Sequence, residues 1–162
     1  MKIILQRCKS AKVIIKNKVI SSIDFGVVLF LGFEKNDTEK DVNFFVNKIL
    51  RLRVFNDRKN KMNLSIKDVN GSVLVISQFT LCADIDKGRR PSFYKAEDPL
   101  KAKNLYNSFI SELKKRKIIC EQGEFGSNME INLINDGPFT LILNSNKNWY
   151  IFDSIDGYKL VI

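Results

Sequence analysis

Two short segments, far apart in the chain, carry the polar groups best suited to chemistry. They are Ser77-Gln78-Phe79-Thr80, here the SQFT segment, and Asn135-Asp136-Gly137-Pro138-Phe139-Thr140, here the NDGPFT segment. The SQFT segment offers two hydroxyl groups and a carboxamide. The NDGPFT segment contains a Gly-Pro peptide, and in the cis form open to X-Pro bonds its two carbonyl groups could act as one rigid pair of acceptors. A strand-breaking turn is the commoner explanation of an isolated Gly-Pro.

The absence of histidine restricts the chemistry that these segments can perform. No histidine occurs among the 162 residues, so the Ser-His-carboxylate triad, histidine metal centres and histidine acid-base pairs are excluded. Thr80 is the obvious nucleophile, but its motif supplies no adjacent base. The chemistry must therefore be undemanding or assisted by the substrate, and we expect neither a metal ion nor a cofactor.

The cysteines indicate the compartment. Cys8, Cys82 and Cys120 are odd in number and unclustered, so they predict neither a disulfide framework nor a zinc site. We interpret them as small buried hydrophobic residues in a reducing, cytoplasmic protein. We also find no signal peptide and no run approaching the roughly 20 apolar residues of a membrane span.

The net charge indicates the class of partner. The chain has 27 Lys and Arg against 18 Asp and Glu, a net charge of +9, which favours a polyanion such as nucleic acid or an acidic membrane surface. A lysine-rich composition explains the charge equally well. Within the charged loop Asp84–Pro91, the pair Arg89-Arg90 would suit phosphate contacts, although a solvated surface loop is the commoner reading.

Apolar periodicity predicts a mixed α/β fold, a compact β-rich domain of largely antiparallel strands with two main helices. Short strands are predicted at residues 3–5, 13–15, 19–20, 27–31, 72–77, 118–120, 129–134 and 139–143. Thr38 with Asp41 marks the start of the first helix, and Asp98 with Pro99 marks the start of the second. The second helix should bury a stripe formed by Ala102, Leu105, Tyr106, Phe109, Ile110 and Leu113. The strand at 72–77 is apolar throughout, so it should be buried on both faces and deliver the SQFT segment to the rim of the core.

Both segments, with several others in the same order, resemble the D-aminoacyl-tRNA deacylase family. The family-like segments run from residue 1 to about residue 145. They are Gln6-Arg7, Leu31-Gly32, Asp37-Thr38, Lys61-Met62-Asn63-Leu64, the SQFT segment, Gly88-Arg89-Arg90-Pro91-Ser92-Phe93 and the NDGPFT segment. Each is short, but their order over one domain is hard to obtain by chance.

The resemblance implies a substrate, an oligomeric state and a way of judging chirality. The fold would be a barrel or sandwich, and the protein a homodimer in which Gly137 and cis Pro138 of one protomer enter the SQFT site of the other. The substrate would be the ester between a D-amino acid and the terminal adenosine of tRNA. The Gly137 and Pro138 carbonyls would hold the amino group and crowd the space of an L side chain. Glycine has no side chain to reject, so mischarged glycyl-tRNA should also be hydrolysed.

The resemblance also assigns roles to individual residues. Ser77, Gln78, Phe79 and Thr80 would form the catalytic segment, and Asn135 and Thr140, on either side of the Gly-Pro peptide, would help to bind the substrate. Phe125 and Met129 would line the adenosine pocket, and Arg7 would help to fix the Gly-Pro orientation. For the mechanism we favour direct attack of water on the ester, assisted by the ribose 2′-hydroxyl, with backbone amides around Gln78 and Phe79 stabilising the oxyanion.

Two alternatives and one extension remain open at this point. One alternative is a related deacylase with a trans Gly-Pro that removes L-amino acids from the wrong tRNA. The other is a non-catalytic RNA-binding module that stacks bases on Phe79, Phe93 and Phe125. Residues 1–145 would form the deacylase domain, and the aromatic residues 146–162 a C-terminal extension, such as a hairpin packed on the body.

Overall fold

The computed structural model describes residues 1–86 and 88–145, and the predicted hairpin at 146–162 lies outside them. The strands are β1 (Lys2–Ile15), β2 (Lys18–Ile23), β3 (Gly26–Gly32), β4 (Phe55–Asn56), β5 (Met62–Leu64), β6 (Ser72–Ser77), β7 (Cys120–Gln122) and β8 (Glu130–Asn144). The helices are α1 (Glu39–Arg51) and α2 (Pro99–Lys115), with a short 3₁₀ helix at Phe79–Cys82. None of the helices in these ranges is long and apolar enough to cross a membrane.

One six-stranded sheet, nearly closed like a barrel, organises the chain. Strand β1 lies at its centre and pairs antiparallel with β2, β3 and β8, whereas β3 pairs with β6 and β6 with β7 in parallel. Strands β4 and β5 form a separate hairpin. The predicted mixed α/β class, with mainly antiparallel pairing and two main helices, is confirmed.

The lengths of two strands differ from the prediction. The separate strands expected at 3–5 and 13–15 are one strand of 14 residues, because β1 carries three partners along its length. Similarly, the strands expected on either side of the Gly-Pro peptide form a single strand, β8, of 15 residues. The polar residues that suggested strand ends in the sequence instead lie within β1 and β8, which are paired with strands distant in the chain.

Both helices begin where the capping residues predict. The Thr38 amide donates to Asp41 Oδ2 (2.9 Å), completing a capping box, and Asp98 Oδ1 accepts from the Leu100 amide (2.9 Å). The six residues of the predicted α2 stripe are all buried.

The core lies on both faces of the sheet. Helices α1 and α2 pack on one face against residues such as Leu5, Leu29 and Val75, while Cys8, Val28 and Leu74 face a second apolar cluster. Strand β6 contributes to both clusters, so its burial on both faces is confirmed. Its carboxyl end is thereby held rigidly at the edge of the core.

Candidate active site

The SQFT segment lies where β6 leaves the core. Ser77 is the last residue of β6 and is paired with Leu31 of β3, and the next three residues turn into the 3₁₀ helix. The Gln78 amide donates to the Leu31 carbonyl oxygen (2.7 Å). Gly32 permits this close packing, because a Cβ there would lie 2.9 Å from Leu81 Cβ and 3.0 Å from the Gln78 carbonyl oxygen. The segment is therefore a fixed rim in which Phe79 and Thr80 are exposed.

The side chains of the segment do not form an activated nucleophile. Gln78 Nε2 donates to Thr80 Oγ1 (2.5 Å), and no titratable side chain is hydrogen-bonded to Thr80 in the described ranges. The Gln78 amide is already bonded to the Leu31 carbonyl oxygen and is therefore not free to donate to a ligand. The amides of Phe79 and Thr80 begin the 3₁₀ helix and have no intrahelical acceptor, so both can donate to a ligand.

Phe125 and Met129 lie at the same end of the sheet as the SQFT segment. The loop that carries them follows β7 and is tied to β6 by the Gly123 amide, which donates to the Val75 carbonyl oxygen (2.9 Å). Half-buried Phe125 packs on the Tyr106 ring, with 5.6 Å between centroids. Met129 packs against the second apolar cluster, and its Sδ would lie 2.6 Å from a Cβ at Gly123. The structure thus brings both residues to the end of β6.

The Gly-Pro peptide lies in a bulge of β8. Gln6 pairs with Thr140 and Cys8 with Asn135, so residues 136–139 of β8 lie opposite the single residue Arg7 of β1. The peptide between Gly137 and Pro138 is cis, and both residues are exposed. The bulge therefore projects the Gly-Pro peptide out of the ladder.

Side chains at both ends of the bulge bind it to β1 and to itself. The Phe139 amide donates to Asn135 Oδ1 (3.2 Å), which closes the bulge. Gln6 Nε2 donates to Thr140 Oγ1 (3.3 Å) where the regular ladder resumes. Asn135 and Thr140 therefore shape the segment rather than lie at its tip.

Arg7 is buried behind the bulge. Its Nε lies 3.0 Å from both the carbonyl oxygen and Oδ2 of Asp136, and its Nη1 donates to the Val54 carbonyl oxygen (2.5 Å). Its guanidinium also lies over the Phe139 ring, 5.2 Å from the centroid. The side chain thus contacts both residues that flank the Gly-Pro peptide. Sequence reasoning missed Asp136 and Val54 as its partners, and the acidic residue inside the motif was the available signal.

The two segments are far apart within one protomer. Ser77 is level with Leu31 of β3 and through it with Ile3 of β1, whereas the Gly-Pro bulge lies opposite Arg7, four residues further along β1. Strands β8, β1, β3 and β6 are successive neighbours. At about 4.8 Å between strands and about 3.3 Å per residue, the separation along the sheet is roughly 20 Å.

A ring contact links the SQFT segment to the charged loop that follows it. Phe79 and Phe93 lie with centroids 4.9 Å apart, and Phe79 remains 60% exposed. Sequence reasoning did not connect these two residues.

Comparison with known proteins gives consistent matches over nearly the whole chain. The family model described as D-Tyr-tRNA(Tyr) deacylase matches residues 4–144. The D-aminoacyl-tRNA deacylase of Thermosipho melanesiensis is 49% identical over 148 residues, 91% of this chain and 99% of that protein. The D-aminoacyl-tRNA deacylase of Bacillus thuringiensis is 48% identical over 145 residues, 90% and 99% of the two chains.

Solved structures match in fold. The structure of the c-Myc DNA Unwinding Element Binding Protein superposes with a TM-score of 0.85 at 38% identity, covering 90% of this chain and 99% of that chain. A probable eukaryotic D-amino acid tRNA deacylase has a TM-score of 0.77 at 16% identity, covering 88% and 97%, which is a likeness of fold alone.

Proposed function

The chain belongs to the D-Tyr-tRNA(Tyr) deacylase family and is a D-aminoacyl-tRNA deacylase, a hydrolase, and we propose that it judges chirality with a Gly-Pro peptide donated by a second protomer. The substrate is the ester between a D-amino acid and the terminal adenosine of tRNA. The products are free D-amino acid and tRNA. Mischarged glycyl-tRNA is hydrolysed by the same route.

The separation of the two segments is the observation that supports a shared site. Arg7 holds an exposed Gly-Pro peptide three strands away from Ser77, a path of roughly 20 Å along the sheet. Strand β8 pairs only with β1 among the described residues, and Ile134 and Ile142 on either side of the bulge are 59% and 77% exposed. An open strand edge with exposed apolar side chains is suited to pairing with a second copy.

Within the shared site, binding would proceed by the roles that the family implies. Phe125 and Met129, next to the end of β6, hold the adenosine. The Gly137 and Pro138 carbonyls of the partner protomer accept from the amino group of the substrate, and their bulk leaves no room for an L side chain. The glycyl ester is also accepted, because glycine has no side chain for these carbonyls to exclude.

The hydrolysis needs no activated protein side chain. Water attacks the carbonyl carbon of the ester, and the tetrahedral oxyanion that forms accepts from the amides of Phe79 and Thr80. The bond between this carbon and the 3′-oxygen of the ribose then breaks, and the proton lost by the water passes, with the help of the 2′-hydroxyl, to the departing 3′-oxygen. Loss of one such donor typically slows an acyl transfer about 10²- to 10³-fold.

The first test is the release of amino acid from matched D-tyrosyl-, L-tyrosyl- and glycyl-tRNA, with and without a chelator. We expect fast release of D-tyrosine and glycine, no release of L-tyrosine, and no effect of chelation. Release of L-tyrosine at a comparable rate would overturn the chiral selection. Binding of tRNA without release of any amino acid would instead indicate an RNA-binding module.

A second test asks whether the site is shared between protomers. Gly137→Ala impairs only the donated segment, and Phe79→Pro removes one oxyanion donor from the receiving segment. Each homodimer should be nearly inactive, whereas subunits mixed by co-refolding should recover about a quarter of the wild-type activity, since half of the dimers then hold one intact site of two. If each site were contained in one protomer, the mixed subunits would recover no activity.

A further inference from the structure

The loop after the 3₁₀ helix carries two arginines beside the SQFT segment. Asp84 and Ser92 close its base with two backbone hydrogen bonds of 2.7 and 2.9 Å. Phe93, the next residue, packs on Phe79 of the SQFT segment. Arg89 and Arg90, between the two closing residues, are exposed. The loop is thus anchored at its base to the residues proposed to act on the ester.

The acidic residue at the base of this loop is already engaged. Asp84 Oδ2 forms an ion pair with Lys95 Nζ (2.7 Å) and accepts from the Tyr94 hydroxyl (3.2 Å), while Asp84 Oδ1 accepts from the Asp86 amide (3.1 Å). The hydrogen bond from Lys95 is the main cause of the lowered pKa of Asp84. Asp84 therefore anchors the loop and does not neutralise the arginines.

Arg89 and Arg90 are left as unpaired cations. Within residues 1–86 and 88–145, neither takes part in any of the ion pairs. By contrast, Arg7 and Arg116, elsewhere in the fold, are each bound to a carboxylate. Two exposed guanidinium groups on an anchored loop are suited to phosphate oxygens, which they can bind in a bidentate manner.

We infer that Arg89 and Arg90 bind phosphates of the unpaired 3′ end of tRNA, next to the ester-bearing adenosine. The inference rests on the proposed function, because the aminoacyl ester must lie at the SQFT segment for the preceding nucleotides to reach this loop. The contact is electrostatic and independent of the attached amino acid. It therefore contributes to affinity and leaves the choice between D and L unchanged.

The test compares tRNA binding by the wild type and by the double variant R89A/R90A. At physiological salt we expect about tenfold weaker binding of intact tRNA, and a slope of log K against log salt that is smaller by about 1.4, or about 0.7 for each of two single-stranded phosphates. R89K/R90K keeps both charges and should keep the slope. The control K67A/K114A removes two exposed charges near the opposite end of β6. It should leave the contribution of the 3′ end unchanged, measured as the difference in affinity between intact tRNA and tRNA without its unpaired 3′ nucleotides.

Two further ligands locate the contact. With tRNA trimmed of its unpaired 3′ nucleotides, wild type and R89A/R90A should bind equally. With 3′-O-(D-tyrosyl)adenosine, which has no phosphate, both should release D-tyrosine at the same rate. An unchanged slope on intact tRNA, or an equal loss on trimmed tRNA, would overturn the inference. Hydrolysis of D-tyrosyl-tRNA is measured in a separate assay. Failure of the wild type to hydrolyse it would refute the proposed function instead.

Discussion

Arg7 Nε lies 3.0 Å from the carbonyl oxygen of Asp136 and also 3.0 Å from its Oδ2. One guanidinium therefore holds both the backbone and the side chain of the residue that precedes the Gly-Pro peptide. Because Arg7 is buried, these bonds form in surroundings where an unpaired charge is costly. We propose that this side chain fixes the position of the Gly-Pro peptide.

Arg7→Lys should impair both stability and hydrolysis. A lysine keeps the charge but lacks the planar fork that reaches Asp136 and Val54 together. We expect the free energy of unfolding to fall by about 2 kcal/mol, as for other broken bonds of buried charged groups. Release of D-tyrosine should fall about tenfold or more. The measurements are urea denaturation and the release assay.

Lys9→Ala, an exposed substitution on the same strand, is the matched control for Arg7→Lys and should leave both quantities unchanged. Wild-type stability and activity in Arg7→Lys would show that the Arg7 contacts are dispensable.

Gly137→Ala should distort the bulge by steric conflict. A Cβ at residue 137 would lie 2.2 Å from the backbone nitrogen of Phe139, and this backbone atom cannot move without displacing the bulge. We expect release of D-tyrosine to fall about 100-fold, since misplacement by about 1 Å has that effect in catalytic sites. The exposed Ser22→Ala on β2, away from the β8 edge, is the control. Full activity in Gly137→Ala would show that the geometry of the bulge does not matter for hydrolysis.

Thr80→Ala should retain substantial hydrolysis. Its hydroxyl accepts from Gln78, and none of the residues that the structure describes is hydrogen-bonded to it as a base that could take its proton. We expect kcat for D-tyrosyl-tRNA to stay within about tenfold of the wild type, because in the proposed mechanism water and not the hydroxyl attacks. Complete loss in folded Thr80→Ala, together with full activity in Thr80→Ser, would identify Thr80 as the nucleophile.

The three thiols should be inert in the folded protein. Burial raises the pKa of Cys8 and Cys82 to about 11 and that of Cys120 to about 12. At pH 8, about one thiol in a thousand or fewer is then ionised, and only the thiolate reacts with iodoacetamide. Mass spectrometry should find no labelling of the native protein, unchanged activity, and three labels in denaturant. Rapid labelling of the native protein would contradict this burial.

The sequence by itself determined the features that depend on near neighbours. Thr38 and Asp98 mark the helix starts because a cap acts within one turn of the chain. The α2 stripe follows from helical spacing, and the burial of β6 follows from its continuous apolar residues. The family was also recognisable, because its motifs are contiguous.

The tertiary structure alone decided which distant residues meet. Arg7 and Asp136 are 129 residues apart in the chain, and only the register between β1 and β8 places one opposite the bulge that contains the other. The contact between Phe79 and Phe93 depends on a loop folding back, and the Gln78 amide meets Leu31 only because β3 and β6 pair in parallel. These contacts depend on strand pairing and loop folding that join residues distant in the chain, so no local pattern of residue types specifies them.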